Sequence, residues 1–471
     1  MTQAQLRRPS RPGVDPLLRN GHVLTVGSLV TSAFGAGYWA LATRWYGDAT
    51  VGRSYAAVSA LMLLSGLGQL GLGNVLVRFL PQAGSDRRAL IRAAYTAAGG
   101  ATLVGVLGFL ALIPVCAPGL GFLREPAAGA CFVATTVAYA LFALQDGALT
   151  GLRRPGPVVG KNSGFAVAKI VFVAALAGSM PTIGILMSWT LALVSTLVVV
   201  DAWLFARLLP TDRRGNPAGS EGGSEVRPGS GPGFRPGSRP DAGPGAGPVA
   251  RLEPSAPGRR RSGFVLGGAV LRYAGAEYLG TLCWLAATTL PSIIVLEHAG
   301  ARESAYFSLA WVVANTLHLI SLNMGASLLV EAAGERAGLA AGCRRVLRHT
   351  GALLVPAIAA LVAGAPLVLR VFGPGYARNG STLLQLLALS ALPHLVVATA
   401  ISACRVLGRM RVVVAVQASL ATAVLTLTVL LLPVLGVLGA GVAWLGAQTA
   451  TALALLIARR VWLPDTAGRP A

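Results

Sequence analysis

The chain has 471 residues, of which 54% are hydrophobic and 12% charged, with a mean hydropathy of +0.66; no water-soluble globular domain is built from such a mixture. A spanning helix takes roughly 20 mainly apolar residues, so this composition supplies about a dozen spans and leaves little for a soluble core. A net charge of +22 would suggest nucleic acid in a soluble protein, but here the positions of the basic residues account for it without one.

Residues 1–21 form a basic tail carrying Arg7, Arg8, Arg11 and Arg19. The apolar run that follows is too long for a signal-peptide core and no small-residue cleavage site closes it, so 22–43 is read as the first span. Apolar runs predict further spans at 54–78, 91–115, 127–151, 157–178 and 182–207, then at 264–295, 304–331, 347–372, 380–405, 411–432 and 436–458. The first turns of the long 264–295 run, around Arg272 and Tyr273, are expected along the interface. This is an all-α polytopic organisation, with an N-lobe of six helices over 22–207 and a C-lobe of six over 264–458. Between them, 208–263 turns abruptly to Gly, Pro, Ser and Arg and cannot bury enough apolar surface to order itself. It reads as a disordered tether with an average reach of about 40 Å, whose sharper role would be a basic surface for anionic lipid or for a partner. Residues 459–471 form a short tail.

Twelve spans put both termini on one side. Loops on that side, with Lys161 counted at the edge of its span, hold 29 of the 39 basic residues, whereas the opposite loops hold five: Arg44, Arg53, Arg124, Arg302 and Arg378. The positive-inside rule then places both termini in the cytoplasm of a multi-pass protein. Cys116, Cys131, Cys283, Cys343 and Cys404 are far apart and show neither metal-ligand nor disulfide spacing, so no metal site is expected.

The halves echo each other. Tyr55-Ala56-Ala57-Val58-Ser59 stands ahead of Gly73 much as Tyr306-Phe307-Ser308-Leu309-Ala310 stands ahead of Gly325, and Gly151-Leu152-Arg153-Arg154 matches Gly408-Arg409-Met410-Arg411. Six plus six helices of equal orientation make a parallel repeat whose axis runs along the membrane normal. At Tyr38-Trp39-Ala40-Leu41-Ala42, Val51-Gly52, Leu76-Val77-Arg78-Phe79-Leu80-Pro81, Leu144-Gln145-Asp146-Gly147-Ala148-Leu149-Thr150-Gly151-Leu152-Arg153-Arg154 and Lys169 the chain resembles the polysaccharide flippases of the multidrug/oligosaccharidyl-lipid/polysaccharide (MOP) exporter superfamily. Leu290-Pro291, Ala305-Tyr306-Phe307, Ala310-Trp311 and Ser327-Leu328-Leu329-Val330-Glu331 resemble segments of their second lobe. The resemblance implies a V-shaped pair of bundles that alternates between inward-open and outward-open states. It also implies a bacterial cytoplasmic-membrane location, and a polyprenyl-diphosphate-linked oligosaccharide as the substrate moved outward. Membrane lipids, a polysaccharide polymerase and glycosyltransferases are the partners it implies. Two features depart from the superfamily: the first helix lacks the acidic residue of its proton-coupled drug exporters, and the long linker is not general.

Charges inside spans cost about 2.5 to 3.5 kcal/mol each on the insertion scale and mark cavities or pairs. Lys169, deep in the fifth span, is expected either to meet a diphosphate or to pair with an acidic neighbour. Arg78, at the inner end of the second span, suits a phosphate or snorkels to headgroups. Asp146, Asp201, Glu277 and Glu331 would neutralise Lys169 or Arg272, or else carry a coupling proton or sodium ion; Asp146, Arg272 and Glu277 are also candidates for the substrate cavity. His318 and His394 read as packed histidines. Gly66, Gly68, Gly71 and Gly73, with Pro291, Pro356, Pro366 and Pro393, mark close packing or hinges, and Tyr38, Trp39, Trp45, Tyr46 and Trp462 read as interfacial anchors.

Three other functions compete with a flippase: a cation-coupled multidrug antiporter, a polytopic glycan-polymerising enzyme, and an assembly scaffold. The enzyme is disfavoured because the short outer loops supply only Asp48, Glu125, Glu297 and Glu303. No Ser/His/Asp grouping or phosphate-cradling loop is present, so no catalytic residues and no cofactor are expected beyond a coupling ion.

Overall fold

The computed structural model describes residues 16–153, 156–208, 268–332 and 338–463. The tail 1–15, the predicted linker from 209 onward, and 464–471 lie outside the described residues. The first lobe comprises α1 (Pro16–Trp45), α2 (Asp48–Gly68), α3 (Leu72–Phe79), α4 (Arg87–Cys116), α5 (Pro126–Gly151), α6 (Gly156–Leu176) and α7 (Gly184–Trp203). The second comprises α8 (Gly268–Ala299), α9 (Ala301–Ala332), α10 (Leu339–Arg370), α11 (Pro374–Leu389), α12 (Ala391–Val406), α13 (Met410–Leu435) and α14 (Leu438–Ile457). Among the described residues, eleven stretches, one of them α11 with α12, are long and apolar enough to cross a membrane, and the bent pair α2–α3 makes a twelfth.

These sequences become helices because a backbone in lipid must satisfy its own hydrogen bonds. Side-chain direction then sorts them. Peripheral α4 turns Val104, Leu107 and Val115 outward, which costs nothing where the solvent is hydrocarbon. The α11–α12 stretch is buried in the second lobe along most of its length.

The predicted span 54–78 is corrected by the structure. It is two helices meeting at a 50° bend, because Leu70 and Gly71 adopt left-handed φ of 50° and 70°, which ends α2. The Tyr278 hydroxyl on α8 donates to the carbonyls freed there, Gly66 O at 3.2 Å and Leu67 O at 2.6 Å, so a break in one lobe is stitched to the other. The neighbouring glycines serve contact: Gly147 lies against the Gly73 backbone and Gly151 against that of Leu76, bringing α3 close to α5.

The expected aromatic belt also needs correction. Tyr38, Trp39, Tyr46 and Trp462 are buried, and of the five proposed anchors only Trp45, at 43% exposure, faces outward. Trp462 donates its indole N–H to Leu455 O at 2.9 Å, which ties the turn after α14 back to that helix.

The lobes meet where α1 and α2 pack on α8 and α9. On the side away from the termini, Gly52 sits directly on the backbone of Ala301 and Ala305, and the Glu297 carboxylate accepts the Gly119 N–H at 2.9 Å. Towards the termini, His22 meets His349 at 2.9 Å and Asn323 donates to Ser28 Oγ at 2.9 Å. With the five native cysteines removed, cysteines placed at Gly156 or Ala341 are expected to be shielded from an impermeant thiol reagent in intact cells, while Glu125→Cys and Thr50→Cys label. Labelling of the Gly156 position from outside would overturn the twelve-span topology.

Candidate functional site

The chain has two lysines, Lys161 and Lys169, and both lie on α6. Their surroundings separate their roles. Lys161, expected among the loop cations, is instead inside the lobe with its side chain 1% exposed; its Nζ is 2.8 Å from Asp146 Oδ1. It also donates to Phe142 O at 2.6 Å and lies 3.3 Å from the Phe142 ring centroid. The cation that Asp146 neutralises is therefore Lys161 and not Lys169. Beside this pair, Asp201 accepts from Tyr95 at 3.0 Å and from Gln145 at 2.8 Å. These contacts tie α4, α5, α6 and α7 together at the end of the lobe nearer the termini.

Lys169 lies two turns further along α6, 7% exposed. Its Nζ is 4.5 Å from the centroids of both Tyr38 and Trp189 and 5.2 Å from that of Phe165. Aromatic faces attract a cation by about 0.5 to 2 kcal/mol each, so three rings partly replace the lost water. Tyr38 is held in place by Ser188 Oγ at 2.9 Å. Neither the Lys161–Asp146 nor the Arg405–Glu277 ion pair includes Lys169, whose close neighbours are rings and not a carboxylate.

Lys169 lines a cavity of about 520 Å³ between the lobes, within the ordinary 300 to 1,000 Å³ of ligand pockets. Its walls come from α1, α2, α5, α6, α7, α8 and α9, and combine aromatic faces of Trp39, Tyr55, Trp189, Trp284 and Trp311 with Asn162, Asn315, Thr288 and Thr289. Among the described lining residues, Lys169 is the one formal charge. A second cavity of about 400 Å³, lined by Gln69, Asn74, Glu277 and Tyr278, shares Met62, Tyr139 and Leu285 with the first. The two therefore run on from one another toward the side of the termini, while the Gly52 and Glu297 contacts close the opposite side.

The structure brings few of the predicted site residues together. Glu277 lines the second cavity but pairs with Arg405, Nη2 to Oε1 at 2.8 Å and Nε to Oε2 at 3.2 Å. Arg78 is exposed at the end of α3, 5.8 Å from the Phe79 ring centroid, and lines neither cavity. The side chains of Arg272 and Glu331 lie outside the described residues. Sequence reasoning missed the aromatic cage and the buried role of Lys161. For the aromatic walls of the cavity, Trp284 and Trp311 gave a signal: they stand well inside long spans, where interfacial anchoring does not apply.

The fold and cavity invite comparison with solved structures. An inward-facing MATE-family multidrug resistance transporter of the MOP superfamily superposes with a TM-score of 0.64 at 13% identity, covering 96% of this chain and 98% of that one. The lipid II flippase MurJ in an inward closed conformation gives 0.66 at 10% identity, over 93% and 87%. The chain has the fold of the MOP transporters. A MOP superfamily transporter from Pyrococcus furiosus, described as having a binding pocket of reverse polarity that suggests a different function, gives 0.57 at 12% identity, over 96% of both chains. The sequence itself matches no protein-family model and no curated protein. The MOP fold matches the expected two-lobed architecture across nearly the whole chain, and the three proteins compared are described as MOP superfamily transporters and a lipid II flippase.

Proposed function

We propose that the chain moves a lipid-linked anionic substrate, a polyprenyl-diphosphate-linked oligosaccharide, from the cytoplasmic to the outer leaflet by alternating access. The observation that carries this reading is the charge of the central cavity: one lysine, no paired carboxylate, and no acidic side chain among the described lining residues. A diphosphate bears at least two negative charges and must pass where water is scarce. An ammonium already desolvated by an aromatic cage stabilises it there more strongly than the same charge in water. Asn162, Asn315 and the threonines offer hydrogen bonds to sugar hydroxyls, and the aromatic walls suit stacking on sugar faces, while the prenyl tail remains in lipid.

The aromatic walls favour a second reading, a cation-coupled multidrug antiporter, since rings also attract lipophilic cations. Lys169 opposes it, because a cationic drug in this cavity would meet a like charge with no carboxylate to offset it. Mass spectrometry of lipid retained by the purified protein separates the two. A polyprenyl diphosphate, bare or glycosylated, is the expected passenger; saturable binding of cationic dyes with no prenyl lipid retained would reverse the conclusion.

A further inference from the structure

Behind the second lobe's wall of the central cavity lies a polar cluster that the transport reading leaves unused. His318 on α9 and His394 on α12 are 0% and 1% exposed, with ring centroids 4.8 Å apart, edge to face. His318 is satisfied as a neutral ring. Its Nε2 accepts the Trp444 indole N–H at 3.4 Å and lies 3.0 Å from Ser390 Oγ, while Nδ1 faces Ala314 O at 3.2 Å. A nitrogen that accepts from an indole holds a lone pair, which puts the proton on Nδ1.

His394 is in the opposite position. No well-formed hydrogen bond reaches either of its ring nitrogens or either amide atom of Gln448 on α14, although Gln448 stands close enough to act on the imidazole as a hydrogen-bonding neighbour. Trp284 stacks on the imidazole, 5.3 Å between centroids at 24°. Buried polar atoms without partners are rare in native proteins and ask for an occupant. The species that fits here is a proton: imidazolium has two N–H donors, the Gln448 carbonyl is an open acceptor, and the Trp284 face attracts the resulting cation.

We propose that His394 is a proton-binding site of the second lobe, its charged form held by Gln448 and Trp284, through which proton uptake is coupled to movement of the cavity wall. Trp284 itself lines the central cavity, so the stacking partner of His394 is also a surface the substrate meets. The groups around the site are few. The titratable group acting on His394 electrostatically is His318, and two charged imidazoles at this separation repel, so the site takes one proton at a time. On α8, Glu277 is bound to Arg405, which lies 11 residues, or about 16 Å, further along α12. On α10, His349 is engaged with His22, while Arg344, Arg345, Arg348 and Arg370 are exposed; α9 carries Arg302 and Glu303 at its start, α11 carries Tyr376 and Arg378 only at its far end, α13 carries Arg411 only at its start, and α14 presents Trp444 and Gln448. In the conformation described the imidazole of His394, whether neutral or charged, is closed off from solvent at 1% exposure. A rearrangement of the wall that admits water favours the charged form, and a proton taken up in one state and released in the other couples transport to a proton gradient.

The proposal does not depend on the substrate class, and its test keeps the two apart. Full-length protein with 13C-labelled histidine, in detergent micelles, is titrated by NMR, and the resonance missing from His394→Gln identifies the site. His394 is expected to titrate as its own transition, with Gln448→Leu lowering the midpoint by about half a unit or more. In proteoliposomes, movement of a fluorescent polyprenyl diphosphate by wild type is expected to quicken several-fold under an imposed pH gradient, and in His394→Gln to ignore it. An unchanged midpoint in Gln448→Leu, or a retained gradient response in His394→Gln, overturns the site. Gln448→Leu keeps both histidines and carries the test if His394→Gln misfolds. If wild type moves no polyprenyl diphosphate, the substrate reading fails while the titration still decides the proton site.

Discussion

Lys169→Ala is expected to stop export while leaving the protein folded, inserted and at least as stable as wild type. The stability half follows from the absence of a counter-charge. Lys169 is 7% exposed with aromatic rings and no carboxylate as neighbours, so its removal strands no buried anion and relieves a desolvated cation. The transport half follows from the cavity, where no other charge among the described lining residues faces the substrate. A hydrogen bond to a charged group contributes about 1.5 to 3 kcal/mol, so binding of a polyprenyl diphosphate should weaken by roughly 10- to 100-fold, and Lys169→Glu should do worse than Lys169→Ala. Lys169→Arg keeps the charge and is expected to retain partial activity, although the planar guanidinium does not seat in the cage as an ammonium does. Scintillation or fluorescence binding on detergent-purified protein, beside complementation of a flippase-deficient strain, reads both halves. Normal export by a well-expressed Lys169→Ala would remove the lysine from the mechanism.

Asp146→Ala is expected to do the reverse, lowering stability first and export only as a consequence. It leaves Lys161, with a side chain 1% exposed, charged and without its carboxylate. Breaking a buried pair from this side costs about 3 to 5 kcal/mol. Lys161→Ala should cost less, because Asp146 is 39% exposed and the remaining carboxylate is screened by water. The double change Asp146→Leu with Lys161→Met removes both charges and is expected to restore the apparent melting temperature in detergent and cellular abundance to near wild type. Asp146→Ala should not rescue Lys169→Ala, since the two residues are not partners. A double variant as unstable as Asp146→Ala would show that the pair is not what the carboxylate supports.

The two lysines show how far the sequence reaches. Lys169 could be placed deep in a span by counting residues alone, whereas Lys161 counted with the loop cations at the start of the same helix. Which carboxylate each one met was not legible. Asp146 precedes Lys161 by 15 residues and Lys169 by 23, and nothing in either spacing says how α5 turns against α6. The same holds for the second lobe, where His318 and His394 are 76 residues apart in sequence and 4.8 Å apart in space.

Composition and the order of apolar runs determined that the chain spans a membrane about twelve times in two lobes. The lipid solvent allows few backbone solutions, and each helix satisfies its hydrogen bonds locally, so the signal lies in consecutive residues. The distribution of arginines carried the expected orientation for the same reason, since it depends only on which loop a residue occupies. The bend at Leu70 and Gly71 was only half legible: the glycines marked a flexible point, but the break is completed by Tyr278 donating from the other lobe. The cage around Lys169 draws Tyr38, Phe165 and Trp189 from α1, α6 and α7, and the pairing of Glu277 with Arg405 joins α8 to α12. Such contacts depend on how the helices rotate about their axes and pack, and that rotation is set by close approach at small residues and by buried polar pairs distant in sequence. Only the tertiary structure decided them.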